Sequence, residues 1–359
     1  MEPLTMMEQR VRNLRQFLET NHLDACLVTK PENIFYLSGF TGGSDARLVV
    51  GLADKYIVTD SRYLEQVERE CADWELVRVQ GGGLDSLAAI CDKYNSLAVE
   101  SHHVTHGLFL RLQSALKAQL SPRENIIEGL RRQKDSAELD RLRSAARVGD
   151  EVFQLIIREI QPGWSEVQVA NQIASYLREL GCSQEAFPTI AVAGENAALP
   201  HGQPGSRQLL KGDMLTMDFG GFYQGYAGDM TRTIAIAQAS PRLREVYSRV
   251  LEAQQKGVAS IKAGVKAKTV DQLVRLELAR HGLDDYFLHS TGHGVGLEIH
   301  EAPSLSSHSE DVLEENMVVT VEPGVYIAGW GGIRIEDTVI VRHDGCEVIT
   351  ASGKELLII

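Results

Sequence analysis

Cysteine is scarce in this chain, and what there is lies scattered. The five thiols, Cys26, Cys71, Cys91, Cys182 and Cys346, are odd in number and form no Cys-x-x-Cys pair. That argues against a disulfide framework and a thiolate zinc site, and it fits a reduced, cytoplasmic compartment. Long apolar runs are missing too: no stretch approaches the roughly 18 residues of a membrane-spanning helix. The opening Met1-Glu-Pro-Leu-Thr-Met-Met-Glu-Gln-Arg10 puts acids and Arg where a signal peptide needs an apolar core, so secretion is not expected. Basic residues are outnumbered, 36 against 49 acids. The net charge of −13 repels phosphate backbones and anionic membranes, so neither is an expected partner. Familiar catalytic signatures are absent as well. There is no G-x-S-x-G, and His300-Glu301 lacks the second His of H-E-x-x-H. Gly292-His-Gly-Val-Gly296 lacks the G-x-G-x-x-G spacing and carries His where a dinucleotide would approach.

At 359 residues the chain is long enough for two domains. In the first, Val11, Leu14, Phe17 and Leu18 recur at helical spacing, and short apolar runs follow at Ala25–Val28, Leu48–Val50, Tyr56–Val58 and Leu76–Val79. A helix-like stretch, Tyr63–Glu70, separates two of them, which predicts an α/β domain with a mixed sheet over residues 1–130. Gly81-Gly-Gly83 reads as a flexible turn. The charged, apolar-free Arg131-Arg-Gln-Lys-Asp-Ser136 marks the boundary. Asp135 with Glu138 has capping-box spacing, so a long helix should start there and run to Ile160, before Gln161-Pro-Gly163. Ser165 can cap a second helix and Gly181 end it; further helices are expected at 241–261 and 269–281.

Residues 131–359 contain one long-range echo. Met214-Leu-Thr-Met-Asp218-Phe-Gly220 leads through a Gly/Tyr-rich turn to Asp229-Met-Thr231-Arg-Thr233-Ile-Ala-Ile236. Met317-Val-Val-Thr-Val-Glu322-Pro-Gly324 leads likewise to Glu336-Asp-Thr338-Val-Ile-Val341. Each unit is an apolar strand ending in acid-x-Gly, a turn, then acid-x-Thr and another apolar strand. This predicts two related β-hairpins in a pseudo-symmetric domain, with His293 in a Gly-rich loop between them. Any one of these acids alone reads equally well as a turn residue or a local cap. Four of them planted in strands apolar enough to be buried are costly unless cations neutralise them. Four carboxylates and one imidazole carry too much charge for a single divalent ion and suit two. Oxygen-rich ligation with one nitrogen favours Mn²⁺, with Co²⁺, Fe²⁺ and Zn²⁺ as alternatives.

At these residues the chain resembles the pita-bread metallopeptidases, in the proline-specific branch of Xaa-Pro dipeptidases and Xaa-Pro aminopeptidases. The resemblance spans nearly the whole sequence. Asn33-Ile-Phe-Tyr-Leu-Ser-Gly-Phe40 looks like the N-terminal domain signature. Leu199-Pro-His201, Asp218-Phe-Gly, Gly228-Asp229-Met-Thr-Arg-Thr, Ser290-Thr-Gly-His293 through His300-Glu, Val321-Glu322-Pro-Gly-Val-Tyr326 and Gly332-Ile-Arg334-Ile-Glu336-Asp match the catalytic domain. The fold implied is a creatinase-type α/β N-terminal domain followed by an α+β pita-bread catalytic domain with pseudo-two-fold symmetry. By the same resemblance Asp218 holds one metal, Asp229 and Glu336 bridge both, and His293 and Glu322 complete the second. His201, His289, His300, Tyr326 and Arg334 surround them. His102, His103, His106 and His308 have no such context and read as surface residues.

The reaction implied is hydrolysis of an N-terminal Xaa-Pro bond by a metal-bridging hydroxide, with Glu322 shuttling the proton. His201 and His300 would bind the carbonyl or oxyanion, and Asp218 would receive the α-amino group. Arg334 would orient the bridging acids or a substrate carboxylate. His289 and Tyr326 would help bind substrate. The partners implied are a small peptide with proline second and a second copy of the chain. The Asn33–Phe40 segment and its flanking loop would bound the site on the substrate's N-terminal side. Three rivals share parts of the pattern. Methionine aminopeptidases resemble only the second half, and creatinase lacks the ligands. Catalytically silent binding modules of this fold typically lose them too, whereas all five are kept here.

Overall fold

The computed structural model describes residues 5–79 and 83–359. Two of the glycines read as a turn, Gly81 and Gly82, lie outside the described residues. The chain divides into two compact units, Met1–Arg131 and Arg132–Ile359.

In the first unit the elements run α1 (Met6–Thr20), β1 (Ala25–Val28), α2 (Pro31–Ser38), β2 (Ala46–Gly51), β3 (Lys55–Thr59) and α3 (Leu64–Glu70). They continue as β4 (Glu75–Arg78), α4 (Leu84–Cys91), β5 (Ser96–Glu100), α5 (His106–Ala115), β6 (Gln119–Arg123) and α6 (Ile126–Arg131). The strands form one sheet in the order β4-β3-β2-β1-β5-β6. β2 is antiparallel to both β1 and β3, and the other neighbouring pairs are parallel, so the sheet is mixed. All four expected apolar runs fall in strands of it, the last stopping one residue short at Arg78, and Val11, Leu14 and Leu18 lie on the buried stripe of α1. Within Asn33–Phe40, Asn33, Ile34, Leu37 and Phe40 are buried, so the segment is committed to this unit's core; exposed side chains appear in the flanking residues 41–45.

The second unit opens on α7 (Ser136–Glu159) and α8 (Glu166–Glu179), followed by β7 (Ile190–Ala193), β8 (Met214–Phe219), β9 (Phe222–Tyr223), β10 (Tyr226–Ala227) and β11 (Met230–Ala235). After α9 (Pro241–Ser260) and α10 (Ala267–Ala279) come β12 (Gly292–Gly294), β13 (Glu301–Leu305), β14 (Val318–Val321) and β15 (Gly324–Ile327). The last elements are β16 (Gly331–Arg334), β17 (Asp337–Arg342) and β18 (Gly345–Val348). The capping box is formed: Glu138 N donates to Asp135 Oδ1 at 2.9 Å and Asp135 N to Glu138 Oε2 at 3.0 Å. Ser165 caps α8 in the same way, and Gly181 ends that helix at φ +95.

Each helix pair covers part of the strand layer. Val152, Phe153 and Ile156 of α7 and Val169 and Ile173 of α8 pack on Leu215, Met217 and Ile234 of β8 and β11. Val250 of α9 and Val274 of α10 pack on Val325 and Ile333 of β15 and β16. Each such buried side chain contributes roughly 1.5–3 kcal/mol.

The two echoed motifs are hairpins of one design. β8 pairs with β11 and the same register continues into β9 and β10; β14 pairs with β17 and its register continues into β15 and β16. The pairings are nevertheless two positions out of step. Asp218 faces Thr231, whereas Val321 faces Asp337 and Gly324 faces Arg334, which places Glu322 opposite Glu336. Because side chains alternate with period two, a shift of two keeps every acid on its face. One expectation is corrected: the glycine-rich stretch with His293 is not a loop but strand β12, hydrogen-bonded between β13 and β14. Glycine is needed there because a Cβ on Gly292 would lie 2.0 Å from Thr320 O, and one on Gly294 2.5 Å from Ala302 O.

Candidate metal centre

The strand ends bring the acids together. Asp218 is the penultimate residue of β8, Asp229 and Glu336 directly precede β11 and β17, Glu322 directly follows β14, and His293 is central in β12. Ligand atoms of Asp218, Asp229 and Glu336 all lie within 4.8 Å of one another. His293 Nε2 is 3.3 Å from Glu322 Oε1 and 3.6 Å from Asp229 Oδ2, so Asp229 stands between the two groups. The hairpins are stitched edge to edge: Glu336 N donates to Thr231 O at 3.2 Å, and Thr231 Oγ1 to Glu336 Oε2 at 2.7 Å. Thr338 Oγ1 returns a bond to Asp229 O at 2.9 Å.

These groups line a cavity of about 540 Å³, a size that suits a small ligand. His201, His289, His300 and Arg334 line it too, and so do Phe187, Pro188, Ile190 and Ile299. His300 packs edge-on against His293 with ring centroids 4.4 Å apart. Tyr326 does not line the cavity. It stands behind as a link, with Arg334 Nη1 donating to its hydroxyl at 2.6 Å and the hydroxyl 2.8 Å from His289 Nε2. Arg334 is expected to orient the bridging acids or a substrate carboxylate. Its Nη2 donates to Asp218 Oδ2, its Nε to Thr231 Oγ1 at 3.1 Å and its Nη1 also to Pro200 O at 3.2 Å. Arg334 faces Gly324 in its hairpin, beyond Glu336, and its side chain crosses to β8 and β11. It reaches Glu336 only through Thr231. Sequence reasoning also passed over Thr231, although it stands in the acid-x-Thr motif, and the apolar wall of Phe187 and Ile299, which carries no motif.

Electrostatics set the chemistry. Burial first, then the charges of Glu336, Asp218 and Glu322, push the Asp229 carboxyl well above its ordinary range. Glu336 is raised in the same direction, by burial first and then by Glu322 and Asp218. Burial lifts Glu322 to about 8 against the opposing pull of Arg334. The imidazoles move the other way: burial lowers His293 and His289 to about 4 and also lowers His300. His293 is therefore neutral, the state in which an imidazole could ligate a metal. Among the described residues lining the cavity, Arg334 is the one permanent cation facing these four carboxylates. Asp218 Oδ1 and Glu336 Oε1 are buried and accept no hydrogen bond. An orphaned carboxylate oxygen in the interior is costly, and divalent ions seated among these oxygens would satisfy both atoms. The residues present fit such ions.

Fold and site together define a metallopeptidase with a pita-bread catalytic unit. The sequence profile of metallopeptidase family M24 matches residues 140–343, and that of the creatinase/prolidase N-terminal domain matches residues 10–133. The chain belongs to metallopeptidase family M24. It is 34% identical to a Xaa-Pro dipeptidase of Pyrococcus furiosus, over 98% of this chain and 100% of that one. Among solved structures it resembles a Xaa-Pro dipeptidase from Bacillus anthracis, with TM-score 0.96 and 38% identity over 98% and 100% of the two chains. It also resembles an X-Pro aminopeptidase from Thermotoga maritima, with TM-score 0.89 and 34% identity over 94% and 98%.

Proposed function

We propose that this chain is a two-metal Xaa-Pro dipeptidase that cleaves the bond before proline in small peptides. The observation that carries the reading is the buried acid cluster with two orphaned oxygens, opening on a cavity with an apolar wall. Asp218, Asp229 and Glu336 would hold one divalent ion, and Asp229, Glu336, His293 and Glu322 the other, with Mn²⁺ favoured by the oxygen-rich set. When bound, such ions supply Lewis acidity, which polarises a carbonyl and makes water nucleophilic near neutral pH.

The protein's own groups complete the chemistry. Glu322 accepts a hydrogen bond from Thr320 Oγ1 at Oε1, and its Oε2 takes the proton released by the attacking water and delivers it to the proline nitrogen as the C–N bond breaks. His201 and His300 present ring N–H groups to the carbonyl oxygen as it gains charge. The Tyr326 hydroxyl donates a hydrogen bond to His289 Nε2 when the His289 Nδ1–H donates to Ser290 O, which keeps Arg334 aimed at Asp218. An Xaa-Pro amide has no N–H to bind, so recognition falls to shape, and Phe187, Pro188, Ile190 and Ile299 offer a surface for the pyrrolidine ring. The reading includes a cytoplasmic homodimer. Five free cysteines support the compartment, and among the described residues no helix is long and apolar enough to cross a membrane.

The Thermotoga relative favours a second reading, an aminopeptidase that accepts residues beyond proline. Hydrolysis of Ala-Pro and Ala-Pro-Ala with added Mn²⁺ separates the two. A dipeptidase prefers the dipeptide by about tenfold or more in kcat/KM, worth roughly 1.4 kcal/mol of transition-state binding. The reverse preference means an aminopeptidase. Bound Mn²⁺ with turnover of neither peptide means a binding module.

A further inference from the structure

Helix α10 stands behind the cavity and supplies none of its lining, yet it carries a carboxylate with no exposed surface. Asp271 Oδ1 accepts the Thr291 amide at 3.1 Å and the Thr291 hydroxyl at 2.9 Å, and its Oδ2 accepts Arg275 Nε at 2.8 Å. The i, i+4 spacing puts Arg275 one turn along on the same face. From there Nη2 donates to His289 O at 2.6 Å and Nη1 to Phe287 O at 3.1 Å. The guanidinium also lies 4.4 Å from the centre of the Phe287 ring, which packs edge-on against His289 with centroids 5.0 Å apart.

Two arms lead from this pair to the acid cluster. In the first, the Thr291 peptide gripped by Asp271 receives the Glu322 backbone N–H on its carbonyl at 2.8 Å, and His293 follows two residues later. In the second, Arg275 fixes the backbone of His289, whose ring meets Tyr326, then Arg334, then Asp218. Glu322 and Asp218 belong to different hairpins, and both trace back to one ion pair.

We propose that Asp271 and Arg275 are positioning residues for the hydrolytic reaction, holding the 287–291 segment so that Glu322 and the His289–Tyr326–Arg334 chain keep their alignment. The inference rests on the proposed peptidase function for its kinetic readout. Neither residue touches the cavity, so neither supplies binding or proton transfer. Their contribution is geometric, and an error of about 1 Å at a reacting group costs on the order of 10²-fold in rate. Arg suits the task because its planar fork serves the carboxylate and two carbonyls together, which a single ammonium cannot do.

The test compares wild type with Arg275→Met, Arg275→Lys and Asp271→Asn as full-length, Mn²⁺-loaded proteins. Arg275 is one-third exposed, so its variants keep the test open if Asp271→Asn does not fold. The expected result for Arg275→Met is a kcat lower by about tenfold or more, KM within about threefold and unchanged bound Mn²⁺. Amide exchange over residues 287–291 and at Glu322 should accelerate in the same variant, and Arg275→Lys should recover only part of the loss. A lower melting temperature with kcat within about twofold of wild type, measured well below the transition, overturns the proposal. Loss of Mn²⁺ in step with kcat overturns it too, because the pair would then assemble the metal site. If wild type turns over no Xaa-Pro peptide, the proposed function fails and the exchange measurement alone decides: unchanged exchange overturns the positioning claim.

Discussion

Gly220→Ala is a single-methyl test of how closely the acid-bearing strands must approach. Gly220 lies two residues after Asp218, and in the register of its hairpin it falls opposite Asp229. A Cβ there would sit 1.8 Å from Gly228 O, 2.6 Å from Gly228 C and 3.2 Å from Asp229 N. All three are backbone atoms, so no rotamer change relieves the clash. Restoring an ordinary contact of 3.4 Å from 1.8 Å moves the Gly228 carbonyl by about 1.6 Å and takes the adjoining Asp229 with it. Overpacking of this kind costs about 1–3 kcal/mol of stability, and a displacement of that size at a carboxylate proposed to hold metal costs on the order of 10²-fold in rate. The assay is kcat on Ala-Pro with Mn²⁺, alongside bound-metal content and thermal unfolding. Gly345→Ala serves as the control, since a Cβ there meets nothing within 4 Å. If Gly220→Ala matched the control in all three measurements, the close approach would be unnecessary and the geometric argument wrong.

Three further outcomes follow from the same arrangement. Glu336→Ala should abolish turnover and lower bound Mn²⁺ while the circular dichroism spectrum stays native; wild-type kcat would refute its role as a ligand to both ions. His300→Ala should cost about 10²-fold in kcat, as loss of an oxyanion donor does, with far less effect on Mn²⁺ affinity; equal losses would make it a ligand. The third outcome is a pH dependence. Burial raises Glu322 from 4.5 to about 8, and it raises Asp229 and Glu336 in the same direction. In metal-free protein the stabilisation from Glu322 is therefore complete below pH 4.5 and is lost as pH climbs through about 8, and the raised Asp229 and Glu336 carboxyls act in the same direction. For Glu322 alone the shift is worth about 5 kcal/mol at most. Metal-free protein should thus melt at a lower temperature at pH 8.5 than at pH 5, and Mn²⁺ should widen its stabilising effect with pH; a flat difference between the two forms would refute the electrostatic reading.

The local features were legible because their causes are local. Asp135 and Glu138 are three residues apart, and that spacing alone dictates the cap that starts α7. The acid-x-Gly and acid-x-Thr repeats exposed both hairpins because a strand's apolar alternation and the turn that ends it lie in adjacent residues. What stayed hidden depends on distances through space. The two-position offset between the hairpins leaves no trace in the motifs, since it preserves every side chain's face. β12 looks like a loop because its glycines are read as flexibility, when their purpose is to let Thr320 and Ala302 carbonyls come close. β6 was missed because Gln119-Leu-Ser-Pro-Arg123 is polar and holds a proline, which only an edge strand tolerates. Asp271 and Arg275 belong to no motif, and only the fold sets Thr291 and His289 against them.

Two cations sharing one nest of acids are the central proposal, and anomalous scattering from crystals soaked in Mn²⁺ tests it most directly. Two peaks per chain are expected, one among Asp218, Asp229 and Glu336 and one among Asp229, His293, Glu322 and Glu336. Density confined to the separate Glu252, Glu277 and His281 cluster, or no density between the hairpins, would contradict it.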